Sequence, residues 1–203
     1  MKYWTSAAVV ILLFGVIEVL NTTNHRKGEM NMIEQQVMEL MRKLDTLDER
    51  SRMNLLSGVD EQRSELLGVL LKHLGTSSSV NVQAGAIYLI GRHRLSEGVG
   101  ELIRRIDFDT GERLKIGPLP LWDRYPAMEA LITIGWQSVP AVIELLTTEE
   151  NNLRRDLAVK VIRYATDTEV AKFILERAHK IESDPNRKGN LQDALMRLNK
   201  LPR

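Results

Sequence analysis

The 203-residue chain is 43% hydrophobic and 27% charged with a formal net charge of +1, the balance of a soluble globular protein with room for one domain or a short array. The absence of cysteine excludes disulfides, thiolate catalysis and Cys-ligated metal sites, and an aromatic content of 5% favours aliphatic helix packing over a β-sandwich. Lys2, Arg26 and Lys27 against Glu18 concentrate the positive charge in residues 1–28, which leaves a near-neutral body with no electrostatic footprint for a phosphate backbone.

At the amino terminus Lys2 precedes the apolar run Ala7 to Ile17, and the polar stretch NTTNHRKG follows. A charged tip, a short apolar core and a polar exit are the layout of a secretory signal, although no Ala-x-Ala-like cleavage site follows the core. The run is shorter than the ~20 residues a spanning helix usually needs. Residues 1–28 are therefore expected to be a cleaved signal or an uncleaved anchor attached to a membrane through residues 4–20, with an ordinary buried helix as the third reading. The first two place the body outside the cytoplasm.

Residues 29–79 are expected to form capping helices. Met30, Ile33, Val37, Leu40, Leu44 and Leu47 recur at spacings of three and four, a heptad-like seam that covers the end of an array or pairs with another copy. A second helix follows Asp60, with Leu66, Leu67, Leu70, Leu71 and Leu74 on one face and Gly75 and Ser77–Ser79 as its stop.

Three alike segments come next. Ala86-Ile87-Tyr88-Leu89-Ile90-Gly91 aligns with Ala130-Leu131-Ile132-Thr133-Ile134-Gly135 and with Ala158-Val159-Lys160-Val161-Ile162-Arg163. Each has Ala first, which lets a neighbouring helix approach, and Ile four residues later, which fills the interface. A second helix is expected after each, on Val99, Leu102, Ile103 and Ile106, on Val139, Val142, Ile143 and Leu146, and on Val170, Phe173 and Ile174 with Arg177 in the last apolar place. Ser96, Ser138 and Thr168 are the N-cap candidates, and Pro140 falls in a first turn, where its missing N–H costs nothing.

The run Gly135-x-x-x-Val139-Pro140-Ala141-x-Ile143-x-Leu145-Leu146 resembles the short, bilin-lyase-type class of HEAT-like helical repeats, and the likeness extends loosely over about residues 80–181. The resemblance implies an all-α fold, an α-α superhelix with capping helices at both ends, in which each repeat buries its stripes against its neighbours. Repeats are expected over 80–186 and a closing half repeat over 187–203, with its helix near Leu191 to Leu201.

The period is broken once, by an insert from Asp107 to Pro126 (DFDTGERLKIGPLPLWDRYP), whose Gly and Pro content argues against a helix. Long loops in compact domains often carry function. Leu119, Leu121 and Trp122 either tuck against adjoining helices or face a partner, and Phe108, Trp122, Arg124 and Tyr125 are the partner-binding candidates.

No catalytic constellation stands out. The histidines His25, His73, His93 and His179 are scattered, and the His179–Glu182 pair at helical spacing reads as a solvated surface pair. Some HEAT-like proteins are iron hydroxylases using His-Glu dipeptides, and this chain has none. There is no G-x-S-x-G, no P-loop and no dinucleotide fingerprint, and Gly98-Val99-Gly100 reads as a turn. HEAT-like DNA glycosylases read duplexes across a basic face. Here the outward positions of the second helices, Arg104, Glu144 and Leu175, then Arg105, Leu145 and Glu176, form no basic stripe, and Arg92, Arg94, Arg154 and Arg155 read as a solvated mixed surface.

The expectation is an exported, non-enzymatic scaffold for a protein partner, with no cofactor, metal or nucleic acid. The alternatives implied by the resemblance are a lyase-like protein handling a tetrapyrrole or similar ligand and, behind it, a glycosylase-type nucleic-acid enzyme.

Overall fold

The computed structural model describes residues 63–77, 80–111 and 124–202. The expected signal or anchor, the heptad-like seam of Met30 to Leu47 and most of the insert, including Trp122, lie outside the described residues. Within them the chain is all-helical, with no strand: α1 Arg63–Thr76, α2 Val80–Arg92, α3 Val99–Arg104, α4 Pro126–Ile134, α5 Val139–Thr148, α6 Asn152–Ala165, α7 Thr168–Ile181 and α8 Pro185–Lys200. Short 3-10 turns, Ser96–Gly98 and Gly135–Ser138, lead into α3 and α5.

The three aligned segments lie on α2, α4 and α6, which pack side by side, with α1 against α2. Small residues set their spacing. A Cβ built on Gly91 would sit 2.6 Å from the Ala130 Cα, so α2 and α4 are in contact where only a hydrogen fits. Ala86, Ala130 and Ala158 are all buried in the same core, with Leu89, Ile90, Leu131, Val161 and Ile162 around them. The second helix α3 adds Val99 and Leu102, with Ile106 just past its end, and α5 adds Val139, Val142 and Leu146, while Ile103 and Ile143 of the same stripes are partly buried. On α1, Leu66, Leu70 and Leu74 are buried and Leu67 and Leu71 partly so.

The turns use different devices. After α2, Arg94 takes a left-handed φ of 49°, the Leu95 N–H donates to the Ile90 carbonyl and the Arg94 N–H to the Gly91 carbonyl, a Schellman closure with Leu95 buried behind it. After α4 the chain turns at Gly135 with φ 77° and ψ −138°, a region essentially restricted to glycine. That break divides Pro126–Thr148, a stretch long and apolar enough by length and composition to cross a membrane but 44% buried within the protein.

The serine cap expectations are corrected. Neither Ser96 nor Ser138 makes a side-chain cap; Ser138 Oγ instead donates to the carbonyls of Leu131 and Gly135, tying the turn to α4. Thr168 is already helical, and its neighbour Asp167 caps α7 by accepting from the Val170 N–H at 2.8 Å. Asn151 and Asp184 cap α6 and α8 in the same way. Asp184 with Pro185 behind it starts the last helix six residues before Leu191, the start expected from the apolar spacing alone.

The third copy departs from the first two. In place of α7, it is α8 that packs beside α5, while α7 packs mainly on α8. The Asn190 amide donates to the Thr147 carbonyl and Arg187 pairs with Glu144, so α8 is tied to α5 directly. Consequently α7 buries Ala171 and Leu175, and Ala178 partly, rather than the aligned stripe. Phe173, expected in the interface, is 61% exposed, and Leu175, expected to face outward, is fully buried.

Candidate functional site

The two ends of the insert meet. The Thr110 N–H and hydroxyl both donate to the Arg124 carbonyl at 3.0 Å, across a chain separation of fourteen residues. Asp109 shapes the entry by accepting from the Gly111 N–H at 2.8 Å, and Gly111 turns the chain with φ 78°. On the exit side Arg124 lies 5.4 Å over the Tyr125 ring, donates to its hydroxyl and stands 3.3 Å from Asp109. Of the four residues singled out in the insert, the base thus brings together Arg124 and Tyr125. Phe108 packs partly buried against the core, and the Tyr125 ring is buried, because Pro126 starts α4 immediately after it and anchors it there.

Tyr125 forms one wall of a cleft of about 410 Å³ between α6 and α8, with Leu153, Leu157, Lys160, Arg197 and Lys200 among its lining. Its floor is apolar and its rim is charged. Arg197 spans the rim, pairing with Asp193 on its own helix and Asp156 on α6, and donating to the Asn152 side chain at 2.7 Å. Hydrogen bonds that Arg197 donates to Asp193 and Asp156 outweigh its desolvation and raise its pKa. Leu153 at the cleft is an exposed large aliphatic side chain.

Arg154 and Arg155 are corrected from a solvated surface to half-buried ties. Arg154 sits in the first turn of α6, donates to the Ile103 and Arg104 carbonyls at the C-terminus of α3, and pairs with Asp107 and Glu149 at 2.5 Å each. A guanidinium satisfies exposed C-terminal carbonyls and the negative end of the helix dipole together. Arg155 reaches the Asn190 carbonyl and Asp193 on α8, and Arg105 donates to the Leu74 carbonyl at the end of α1. Burial raises the Glu149 pKa, but the Asn151 N–H and the Arg154 guanidinium outweigh it and hold the carboxyl below its usual 4.5. Of the other two cations, Arg92 is half-buried and Arg94 exposed.

Sequence reasoning missed Trp136, read only as part of a turn. It is 59% exposed and borders a second groove, about 560 Å³, with Arg94, Ile132, Gly135, Gln137 and Ala165, so the turns of all three hairpins share one edge. The available signal was a tryptophan directly after the turn glycine. Among the described residues no three His, Asp or Glu side chains form a group able to hold a metal. Comparison of the chain with protein-family models, curated proteins and solved structures found no match.

Proposed function

We propose that the chain is an exported, non-enzymatic scaffold of HEAT-like build, a short α-α superhelix closed by capping helices, that binds a protein partner in the cleft between α6 and α8. The observation that carries the reading is the cleft itself, an apolar floor under a charged rim, with the closed base of the insert as one wall. Such a mix of apolar core and polar rim suits a protein segment. The side-by-side packing of α2, α4 and α6 supports the repeat build, and the Lys2-led apolar run supports export and attachment through residues 4–20.

A photo-crosslinking amino acid at Leu153 tests the partner reading in cells, with Gly75, an exposed residue at the end of α1, as the control position. A discrete adduct from position 153, absent from position 75 and lost with Lys200→Glu, is the expected outcome. The same adducts from both positions, or none from 153, refute docking in the cleft. Protease access to the body in intact cells tests export, which fails if the body is protected until the inner membrane is opened.

A further inference from the structure

The stripe on α7 that aligns with the buried stripes of α3 and α5 has lost its neighbour to α8. Phe173 is 61% exposed and Ile181 76%, and between them lies Arg177, with Val170 and Ile174 half-buried along the same side. Residues 170, 173, 174, 177 and 181 recur at helical spacing, so together they make one continuous unpartnered face.

We propose that this face is covered by the amphipathic segment Met30 to Leu47 of the same chain, lying antiparallel to α7. The segment has the matching pattern: Ile33, Val37, Leu40 and Leu44 would stand opposite Ile181, Arg177, Ile174 and Val170. Its charge order selects the direction. Its first part, with Glu29 just before it, carries Glu34 and Glu39 and no cation, and Arg42, Lys43 and Asp45 follow, whereas α7 carries Glu169 and Lys172 in its first half and Glu176, Arg177 and Lys180 in its second. Antiparallel docking sets Glu34 beside Lys180, with Arg42 and Asp45 near both Glu169 and Lys172, whereas parallel docking sets Lys43 beside Lys180 and Glu39 beside Glu176. Val37 opposite Arg177 is accommodated because an arginine stem covers apolar surface while its head stays in water. Reach is sufficient: α7 is four helix contacts from α1, through α2, α4 and α6, or up to about 40 Å at 8–10 Å per contact. Residues 48–62 span about 50 Å when extended.

Because the chain has no cysteine, engineered pairs report cleanly. In the 203-residue chain, Ile33→Cys with Ile181→Cys, and independently Leu40→Cys with Phe173→Cys, are oxidised and run on a non-reducing gel. Both α7 positions are exposed, so the substitutions leave the core intact. The expected result is a disulfide within one chain in both pairs, formed at least tenfold faster than in the parallel-register pair Leu44→Cys with Ile181→Cys. A covalent dimer would assign the face to a second copy and overturn the proposal. So would equal rates in the two registers, or no disulfide in either antiparallel pair.

Discussion

Replacing Arg154 by methionine keeps most of the apolar stem and deletes the guanidinium. In the native structure that group is 17% exposed and serves the Asp107 and Glu149 carboxylates and the carbonyls of Ile103 and Arg104 at once. An exposed ion pair contributes about 0.2–1 kcal/mol, and stripping a partner from a buried one costs about 3–5 kcal/mol. Asp107 and Glu149 both keep some access to water, which places the loss between these limits, at about 2 kcal/mol. Urea denaturation should show it as a lower midpoint at unchanged slope, and thermal unfolding as a fall of about 4–8 °C in Tm. The matched control is Arg104→Met, whose guanidinium pairs with Glu101 on the same helix but is 70% exposed, and which should cost less than about 0.5 kcal/mol. If the two variants lose the same stability, Arg154 is no tie between α3 and α6 and the reasoning from its four partners fails.

Gly91→Ala should cost about 1–3 kcal/mol by urea denaturation, because the added methyl meets the Ala130 backbone, whereas Gly75→Ala, with nothing nearby, should be neutral or mildly stabilising. On α7, Leu175→Ala should cost about 2–5 kcal/mol and Phe173→Ala well under 1 kcal/mol in the same assay, the reverse of the order the aligned stripe implies. Since the Glu149 carboxyl is held below its usual 4.5 in the folded state, its contribution is complete above about pH 4.5 and lost as pH falls through its folded value. Glu149→Gln should therefore flatten part of the acid limb of a stability-against-pH curve, and an unchanged limb would count against the Arg154–Glu149 pair.

Most of the helices were legible from residue spacing, since Leu66-Leu70-Leu74 and Val139-Val142-Leu146 sit in the core where a period near 3.6 puts them. The Ala positions were legible as close-approach points, because a small side chain at a fixed place in each copy has little other use. The candidate site was readable only in part. Gly and Pro marked the insert as a loop, but the pinching of its ends by Thr110 and Arg124, and the burial of Tyr125, depend on pairings between residues far apart in the chain.

What the sequence determined by itself was therefore local: where helices run, which small residues let them touch, and where the period breaks. The tertiary structure decided the neighbours. Nothing in the Val170-Phe173-Ile174 spacing reveals that α8 takes the place beside α5, because an apolar stripe records what a helix can bury and leaves open which surface arrives to cover it. The arginines behave alike. Arg104 and Arg154 both lie beside acidic residues in the chain, yet Arg104 reaches water and Arg154 reaches across to the carbonyls at the end of α3, and only the packing of α6 against its neighbours makes that difference.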